Sequence, residues 1–410
     1  MLHSAFAQVP TWWLLRGDRM WKEAALVGNV SGQANWGSNA LNNEWLSDMT
    51  IGGRITDEEK LRMRQSMISQ NRVGGMSGLN GELYNFSDSI FGAKHIGLMV
   101  GVEDKRHFHM NFSRDMFDLI YFGNYNRQGD TMSLGPLNAE YQWYQKIGFG
   151  FFDKRTFSSI KLSIVNGRDM QALDLRRVSL YTPYVNSDDD MSLRYQGDFW
   201  RADTSRAGNS SKGVGVCVDA DFNIPLKNDR GFISVSLRDV GWVKWNEQTE
   251  YFRFDTTFTW SGVSINDLAG IDSLNFGIPN WQDTLGIQSS SGEGQWRALP
   301  STIMIRTLRK NNERSSIEAT VLLQPNLSSI PFVSLGWNQF VASNMMLSER
   351  ITYGGYRGFG VGAELQWLIA ESTFLRIGSN HLFGFRNRAT GADLFIGLTA
   401  QLTSKKRTRS

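Results

Sequence analysis

The chain has 410 residues, a formal net charge of +3 and a single cysteine. This small, mixed charge does not suggest a nucleic-acid-binding protein. One cysteine excludes an intramolecular disulfide framework and a cysteine-based zinc site. No apolar run of about eighteen residues is present, so the sequence predicts no transmembrane helix. Its 41 glycines, 12% aromatic residues and only 8 prolines suit long, tilted strands with aromatic girdles.

The N-terminus carries a feature of exported proteins. Ala5-Phe6-Ala7 before Gln8 resembles the cleavage end of a secretory signal peptide, although the charged start and the apolar core of such a peptide do not precede it. We therefore expect residues 1–7 to be a signal-peptide remnant, and the mature chain to begin near Gln8. A chance Ala-x-Ala is the alternative.

The next part of the chain combines Gly-rich strands, over 24–37 and 74–86, with a helix between them. This helix is predicted over about 56–70, because Thr56 is a suitable N-cap and Glu59 completes a capping box. A second short helix is predicted from Ser113 to Phe122.

Both helices have a partly apolar side, so each could fold into a lumen as a plug. For the first helix, a place at the barrel mouth, a place on the membrane surface and a short capping helix in a loop are the alternatives. The insertion that would carry the first plug helix spans residues 38–73. The candidate plug residues are Leu61, Met67, Phe117 and Leu119.

Alternating runs occupy most of the remaining chain. They are expected at 94–102, 106–112, 138–151, 156–166, 170–182, 189–201, 212–223, 230–243, 249–260, 301–310, 315–324, 331–340, 342–353, 358–369, 372–381 and 390–402. The alternation stops over 261–299, which is therefore predicted to be the longest loop. Residues 405–410 form a basic tail, for which simple solvation is the expectation.

The alternation itself indicates the fold class. One face of the run after Gly358 is wholly apolar, and so is one face of the final run, whereas the opposite faces are small, polar or charged. The two apolar faces consist of Phe359, Val361, Ala363, Leu365, Trp367 and Ile369, and of Leu394, Ile396, Leu398, Ala400 and Leu402. Two different environments on the two faces of long strands are typical of a transmembrane β-barrel.

We therefore predict an all-β protein, a single antiparallel β-barrel over residues 8–404 with about fourteen strands. A soluble β-sandwich is the structural alternative, but its strands would be shorter. The expected location is the bacterial outer membrane, with both termini in the periplasm.

Charged and polar side chains should face the lumen of this barrel. The candidate lumen-lining residues are His107, His109, Lys161, Arg238, Arg253, Asp255, Glu364 and Arg376. Opposite charges in a lumen most often neutralise each other and make it rigid. A selective conduit is the sharper interpretation.

No pattern in the sequence predicts catalysis, a cofactor or a metal site. His107 and His109 point the same way on one strand, but no third ligand is fixed by spacing. Ser379 and His381 resemble part of a hydrolase site, yet a nucleophile and its base must lie within hydrogen-bond reach. Cys217 is expected to be a small inward-facing filler. The chain is thus predicted not to be an enzyme.

The stretch Phe108 to Leu119 reads Phe-His-Met-Asn-Phe-Ser-Arg-Asp-Met-Phe-Asp-Leu, and Gly123-Asn124 follows. It resembles a Bacteroidota family of outer-membrane proteins of unknown function, in which a similar strand runs into a Phe-Ser-x-Asp-x-Phe-Asp-Leu helix. Residues 146–150, 178–182 and 239–246 fall in a similar order, so the likeness spans most of the chain.

This resemblance implies a likeness to FadL/OmpP1-type barrels, which hold an N-terminal segment in the lumen and carry hydrophobic molecules inward. The first hypothesis is therefore passive transport of a hydrophobic or amphipathic small molecule. The second is an accessory or scaffold subunit of a type IX-like secretion or surface-protein complex, as related barrels are. The expected partners are outer-membrane lipid, a hydrophobic small molecule and, under the second hypothesis, secretion-system proteins. The barrel is expected to be a monomer.

Overall fold

The structure is a computed structural model. It describes residues 24–403 except 87–89, 91, 186, 188, 204, 206–209, 228–229, 261–287, 291–293, 328 and 371. The predicted signal-peptide remnant, the basic tail and most of the loop predicted at 261–299 lie outside the described residues.

Strands account for most of the described chain, with three α-helices between them. The helices are α1 (Asn43–Ile51), α2 (Asp57–Ser66) and α3 (Arg114–Phe122). The strands are β1 (Ala24–Ser38), β2 (Gln70–Asn85), β3 (Ile96–Ser113), β4 (Asp130–Ser133), β5 (Leu137–Asp153), β6 (Ser159–Thr182), β7 (Met191–Arg201), β8 (Gly213–Pro225), β9 (Gly231–Trp245), β10 (Glu250–Trp260), β11 (Gln288–Ser290), β12 (Trp296–Ala298), β13 (Thr302–Asn312), β14 (Ser315–Leu323), β15 (Ile330–Ala342), β16 (Met345–Gly355), β17 (Phe359–Ala370), β18 (Thr373–Ser379) and β19 (Gly391–Thr403).

Fourteen of these strands close into an antiparallel barrel, which confirms the predicted fold class. They are β1, β2, β3, β5, β6, β8, β9 and β13 to β19. The last strand pairs with the first from Ala24↔Thr403 to Gly37↔Gly391, so the wall has no open edge at this seam. Among the described residues, none of the helices is both long enough and apolar enough to cross a bilayer.

The two ends of the barrel differ in their connections. At one end, the connections between successive wall strands are residues 86–95, 154–158, 226–230, 313–314, 343–344 and 371–372. At the other end, the connections include 39–69 and 114–136, which carry the helices. We call these the short-turn end and the long-loop end. The described wall begins and ends at the short-turn end, which is the periplasmic end in outer-membrane barrels.

The predicted alternation is present in the wall. Along β17, the exposed side chains of Phe359, Trp367 and Ile369 lie on the outside, whereas Glu364 and Gln366 are buried on the inside. The last strand repeats this with exposed Leu394, Ile396, Leu398 and Leu402. An apolar outer surface opposite a polar inner one is the distribution that lipid requires.

Two pairs of predicted strands are single strands. The runs predicted at 94–102 and 106–112 are both part of β3, and those at 156–166 and 170–182 are both part of β6. The prediction of two strands in each place was wrong. In β6 the pairing register shifts opposite Trp143 and Tyr144, so a β-bulge replaces the expected turn.

The strands β7 and β10 were also expected in the wall, but they lie beyond it. Strand β7 pairs with residues 171–181 of β6, and β10 pairs with β7 along its whole length. At 24 residues, β6 is longer than a membrane crossing needs. Its second half therefore starts a sheet at the long-loop end with β7 and β10, extended by the short strands β4 and β11, and we call it the surface sheet.

The caps of the helices follow the sequence prediction. Thr56 accepts a hydrogen bond from the Glu59 N–H, and the Glu59 carboxylate accepts one from the Thr56 N–H at 2.7 Å, which completes the capping box. Ser113 caps α3 in the same way through the Met116 N–H, at 3.0 Å. Helix α1 was not predicted.

The position of the helices differs from the predicted plug. The apolar cluster that holds them consists of Ala40, Leu41, Trp45, Met63, Met67, Val73, Phe112 and Phe117. Val73 pairs with Met110 across β2 and β3, and both belong to the same outward-facing set as Leu79 and Val102. The helices therefore cover the outer side of the wall at the long-loop end. Of the candidate plug residues, Met67 and Phe117 are buried in this cluster, Leu61 is exposed, and Leu119 packs beside Leu180.

Candidate functional site: the barrel lumen

A network of buried charges crosses one side of the lumen. At its centre, the Lys146 ammonium lies 2.6 Å from Asp239, 3.0 Å from Asp219 and 2.8 Å from Glu103. Lys105 makes a second contact to Asp239, also at 2.6 Å. Every member of this central group is therefore neutralised by at least one opposite charge, as buried ions require.

The network continues towards the short-turn end. Lys161 bridges Glu82 at 3.0 Å and Asp219 at 3.3 Å. Arg238 donates from one nitrogen, Nη2, to both oxygens of Asp221, at 2.7 and 2.6 Å, in a charge-assisted contact. Six neighbouring wall strands, β2, β3, β5, β6, β8 and β9, are thus joined through their inner faces.

A β-bulge in β9 makes this arrangement possible. Between Val218↔Val240 and Ala220↔Leu237 the register shifts, which places two residues of β9, Arg238 and Asp239, opposite the single residue Asp219 of β8. Asp239 has a φ of 54°, and its N–H donates to Asp219 at 2.9 Å. The bulge therefore turns Arg238 and Asp239 both towards the lumen, where strict alternation would admit only one.

The same contacts show that the barrel is not circular. Strand β3 carries Lys105 and β9 carries Asp239, and three wall strands separate them. A lysine and an aspartate meet only where the two backbones approach closely. The wall is therefore curled inward on this side, and the network fixes that curvature.

A second, smaller network lies on the opposite side. Glu364 accepts hydrogen bonds from Arg350 at 2.6 Å and from Arg376 at 2.8 Å, and Gln366 donates to it at 2.7 Å. Arg306 is paired with Glu318 at 2.6 Å on the neighbouring strands. This network contains charges of both signs, three arginines and two glutamates, so it is not a single-sign ring of the kind that selects ions.

The inner wall at the short-turn end is apolar. The buried side chains there are Ala24, Val27, Phe232, Leu308, Met346 and Phe374, with Tyr84, Phe86, Phe340 and Leu368 packed against them. They come from the ends of eight wall strands and from Phe86 just beyond β2, and they all face inward. We call this cluster the apolar layer. It was not predicted, because each strand contributes only one or two residues to it.

At the long-loop end, the turn between β16 and β17 folds into the lumen. We call residues 354–358 the Tyr356 turn. Gly354 and Gly355 have φ angles of 104° and 72°, which other residues rarely adopt, and they direct the turn inward. The Tyr356 ring is 2% exposed and lies directly on Gly74, where an added Cβ would be only 2.3 Å from it.

The Tyr356 ring faces two buried histidines on β3. Its centroid is 6.5 Å from that of His107, and the rings of His107 and His109 are 5.8 Å apart. His109 Nε2 is 2.9 Å from Asn138 Oδ1. Glu140 and Gln142 on β5 complete the polar inner wall here, with Arg297 3.2 Å from Glu140.

A family model for a "Family of unknown function (DUF5723)" matches residues 27–374. The chain belongs to this family. A search of curated proteins found no match. Solved structures of bacterial outer-membrane β-barrels also match the chain.

Three solved structures illustrate the similarity. The toluene transporter TodX from Pseudomonas putida has 7% identity and a TM-score of 0.39, covering 98% of this chain and 92% of that one. A TodX mutant described as a monoaromatic hydrocarbon channel has 6% identity and a TM-score of 0.44, covering 98% and 94%. The translocator domain of the autotransporter NalP from Neisseria meningitidis has 8% identity and a TM-score of 0.31, covering 92% and 89%.

Most of the predicted lumen-lining residues do face the lumen. His107, His109, Lys161, Arg238 and Glu364 are buried on the inside, and Arg376 is paired with Glu364.

The other two predicted lumen residues are placed differently. Arg253 and Asp255 lie on β10, which is not a wall strand, and both are exposed on the surface sheet. Their strand shows the same alternation as a wall strand, so the sequence could not separate the two cases. Arg253 is paired there with Asp198 at 3.3 Å.

The donor set around Cys217 does not suit a metal ion. Cys217, Asp219 and Asp239 bring ligand atoms within 4.8 Å of one another, the one such group among the described residues. However, the Lys146 ammonium already lies between the two carboxylates, at 2.6 and 3.0 Å. A second cation there would be repelled. Cys217 itself is buried among apolar side chains, as predicted for a filler.

The geometry around Ser379 is not that of a hydrolase. Its hydroxyl oxygen accepts a hydrogen bond from the His381 backbone N–H at 2.9 Å. Neither ring nitrogen of His381 has a partner among the described residues.

Proposed function

We propose that this chain is a passive conduit for a hydrophobic or amphipathic small molecule across the bacterial outer membrane. The observation that carries the proposal is the apolar layer at the short-turn end. Lumens of water-filled porins are polar, whereas here six buried apolar side chains face inward at one level.

An apolar constriction favours apolar passengers for a physical reason. Water and dissolved polar solutes lose hydration when they enter it, whereas an apolar solute gains by leaving water. The paired charges above the layer support the same conclusion, because each network contains both signs and neither forms a ring of one sign that would select ions. No covalent step is needed for such a function.

The test compares two neighbouring residues of one strand. Met346 faces inward and belongs to the apolar layer, whereas Leu347 faces outward on the same strand. The variants Met346→Ser and Leu347→Ser therefore make the same kind of change on the two sides of the wall. Each is expressed in cells whose own outer membrane excludes the apolar dye N-phenyl-1-naphthylamine.

The parent protein is expected to speed dye uptake, and Met346→Ser to slow it several-fold, because a polar group now lies in the apolar layer. The same variant should admit more sugar in liposome-swelling assays, since water enters the constriction more easily. Leu347→Ser should change neither rate at equal amounts of folded protein. Dye uptake no faster than in cells without the protein would refute the proposal, and so would a parent barrel that passes sugar as readily as dye.

A further inference from the structure

Three neighbouring rings at the Tyr356 turn, those of His107, His109 and Tyr356, each carry a buried polar atom without a partner among the described residues. His107 Nε2, His109 Nδ1 and the Tyr356 hydroxyl make no hydrogen bond with any described residue. The three side chains belong to residues that are at most 4% exposed. Buried polar atoms are nearly always bonded, so three such atoms in one place require an explanation.

Packing accounts for the position of Tyr356, but hydrogen bonding does not. Its ring occupies the space that Gly74 leaves by having no side chain. The turn is held by other groups: Arg72 Nε donates to the Gly355 carbonyl at 3.1 Å, and Arg357 donates to the Asn380 carbonyl at 3.0 Å. The pairing ladder between β16 and β17 ends at Tyr353↔Phe359, so residues 354–358 lie beyond it, and Gly355 is the one residue of the turn that pairs with β15.

We propose that His107 and His109 form a binding site for the polar head of an amphipathic molecule, that Tyr356 occupies this site in the structure, and that the Tyr356 turn is its gate. The Tyr356 ring fills the space beside His107, and its hydroxyl leaves the two imidazole nitrogens without a partner among the described residues. A neutral imidazole can donate or accept a hydrogen bond, and two of them suit a carboxyl or hydroxyl head group. This inference rests on the proposed function and names the class of passenger.

The gate can be locked by a disulfide. A Cβ added at Gly37 would lie 3.5 Å from the Arg357 Cβ, within the range that disulfides require. The variant Gly37→Cys/Arg357→Cys, in a Cys217→Ser background, therefore ties the turn to β1. A matched control is Ser31→Cys/Gly397→Cys, where the corresponding distance across the seam is 3.6 Å.

The primary measurement is equilibrium binding of radiolabelled dodecanoic acid to the detergent-purified full-length barrel. Oxidation should weaken binding to the locked variant at least about tenfold, and reduction should restore it, because the head-group site is closed by Tyr356. The control disulfide should have no effect. Gly74→Ala provides the opposite change, since its methyl group displaces the ring, and it should speed association of dodecanoic acid.

The head-group site is tested with a second probe. His107→Leu/His109→Leu should weaken dodecanoic acid binding about tenfold through the lost hydrogen bonds. Pyrene has no polar head, so its binding should be unchanged in the histidine variant. Pyrene binding should be blocked only in the oxidised Gly37→Cys/Arg357→Cys variant. A merely structural role for the two histidines would affect both probes equally.

Each outcome decides between the two proposals. Absence of dodecanoic acid binding, or binding that is insensitive to oxidation of the locked variant, overturns the gated site even if dye uptake in cells is normal. Equal loss of both probes in the histidine variant overturns the head-group site. If oxidation controls dodecanoic acid binding to the locked variant but the parent protein does not speed dye uptake in cells, the gated site is supported and the transport proposal is refuted.

Discussion

Asp239 offers the sharpest test of what holds the barrel in shape. It is fully buried, it accepts from Lys105 and Lys146 at 2.6 Å each, and it lies at the bulge that turns the network inward. The perturbation is Asp239→Asn. Asparagine tolerates the same positive φ angle and has nearly the same shape, so this change removes the charge and leaves the bulge.

The expected cost follows from the geometry. Loss of one partner of a buried ion pair typically costs about 3–5 kcal/mol, because the remaining charge stays buried without compensation. Lys146 retains Asp219 and Glu103, and Lys105 retains Glu103 at 3.1 Å. These remaining contacts reduce the penalty, so we expect a loss at the lower end, about 3 kcal/mol.

The assay is denaturant unfolding of the barrel in lipid, followed by the gel shift between folded and unfolded forms. The control is Glu250→Gln, which breaks the half-exposed pair with Arg201 on the surface sheet and should cost at most about 1 kcal/mol. Adding Lys105→Met to Asp239→Asn should show a coupling of about 0.5–3 kcal/mol. If Asp239→Asn destabilises no more than Glu250→Gln, the network does not hold the curled wall and the reasoning fails.

Three further predictions concern the long-loop end. Burial and the nearby charge of Arg357 lower the pKa of His381, in the connection after β18, to about 4. The unfolded chain binds a proton at His381 below about pH 6.5, whereas the folded chain binds it only near pH 4. The stability of the folded chain should therefore fall as the pH drops between these values. The variant His381→Gln should show a smaller fall in the thermal unfolding midpoint over the same pH range. Thr56→Ala should cost about 1 kcal/mol of local stability, seen as faster hydrogen exchange of Asp57–Ser66 with the unfolding midpoint of the barrel unchanged. Replacement of residues 43–66 by a flexible linker should leave single-channel conductance unchanged, because the helices lie outside the wall, whereas removal of a plug would raise it.

The sequence predicted the fold class because alternation is a local property. In β17 and β19 every second residue is apolar, and lipid on one side is enough to require this. Capping boxes are equally local, so the start of α2 at Thr56 was also predicted correctly. Neither prediction needed knowledge of which strands are neighbours.

The errors in strand assignment come from residues that usually mark turns. Three consecutive charged residues, 103–105, separate the two runs predicted within β3, yet they continue its alternation with Glu103 and Lys105 turned inward. Asn166-Gly167 is a strong hairpin signal, but in β6 a bulge absorbs the irregularity. Tertiary pairing overrode the local preference in both places.

The lumen could be predicted only in part. The inward direction of Arg238 follows from its strand, but its meeting with Asp221, and that of Lys105 with Asp239, depends on the bulge and on the inward curl of the wall. Lys105 and Asp239, for example, are more than a hundred positions apart in the sequence. Nothing in the spacing of one strand reveals them.

The length of β6 has a mechanical consequence. This single strand carries Lys161 within the buried network and then continues as the first strand of the surface sheet. A pull on that sheet is therefore transmitted along a continuous hydrogen-bonded backbone, without a slack loop to absorb it. The two bulges of β6, opposite Trp143 and near Arg176, are the points where such a pull would bend the strand. A force applied to the surface sheet thus acts directly on the part of the wall that lies beside the buried charges.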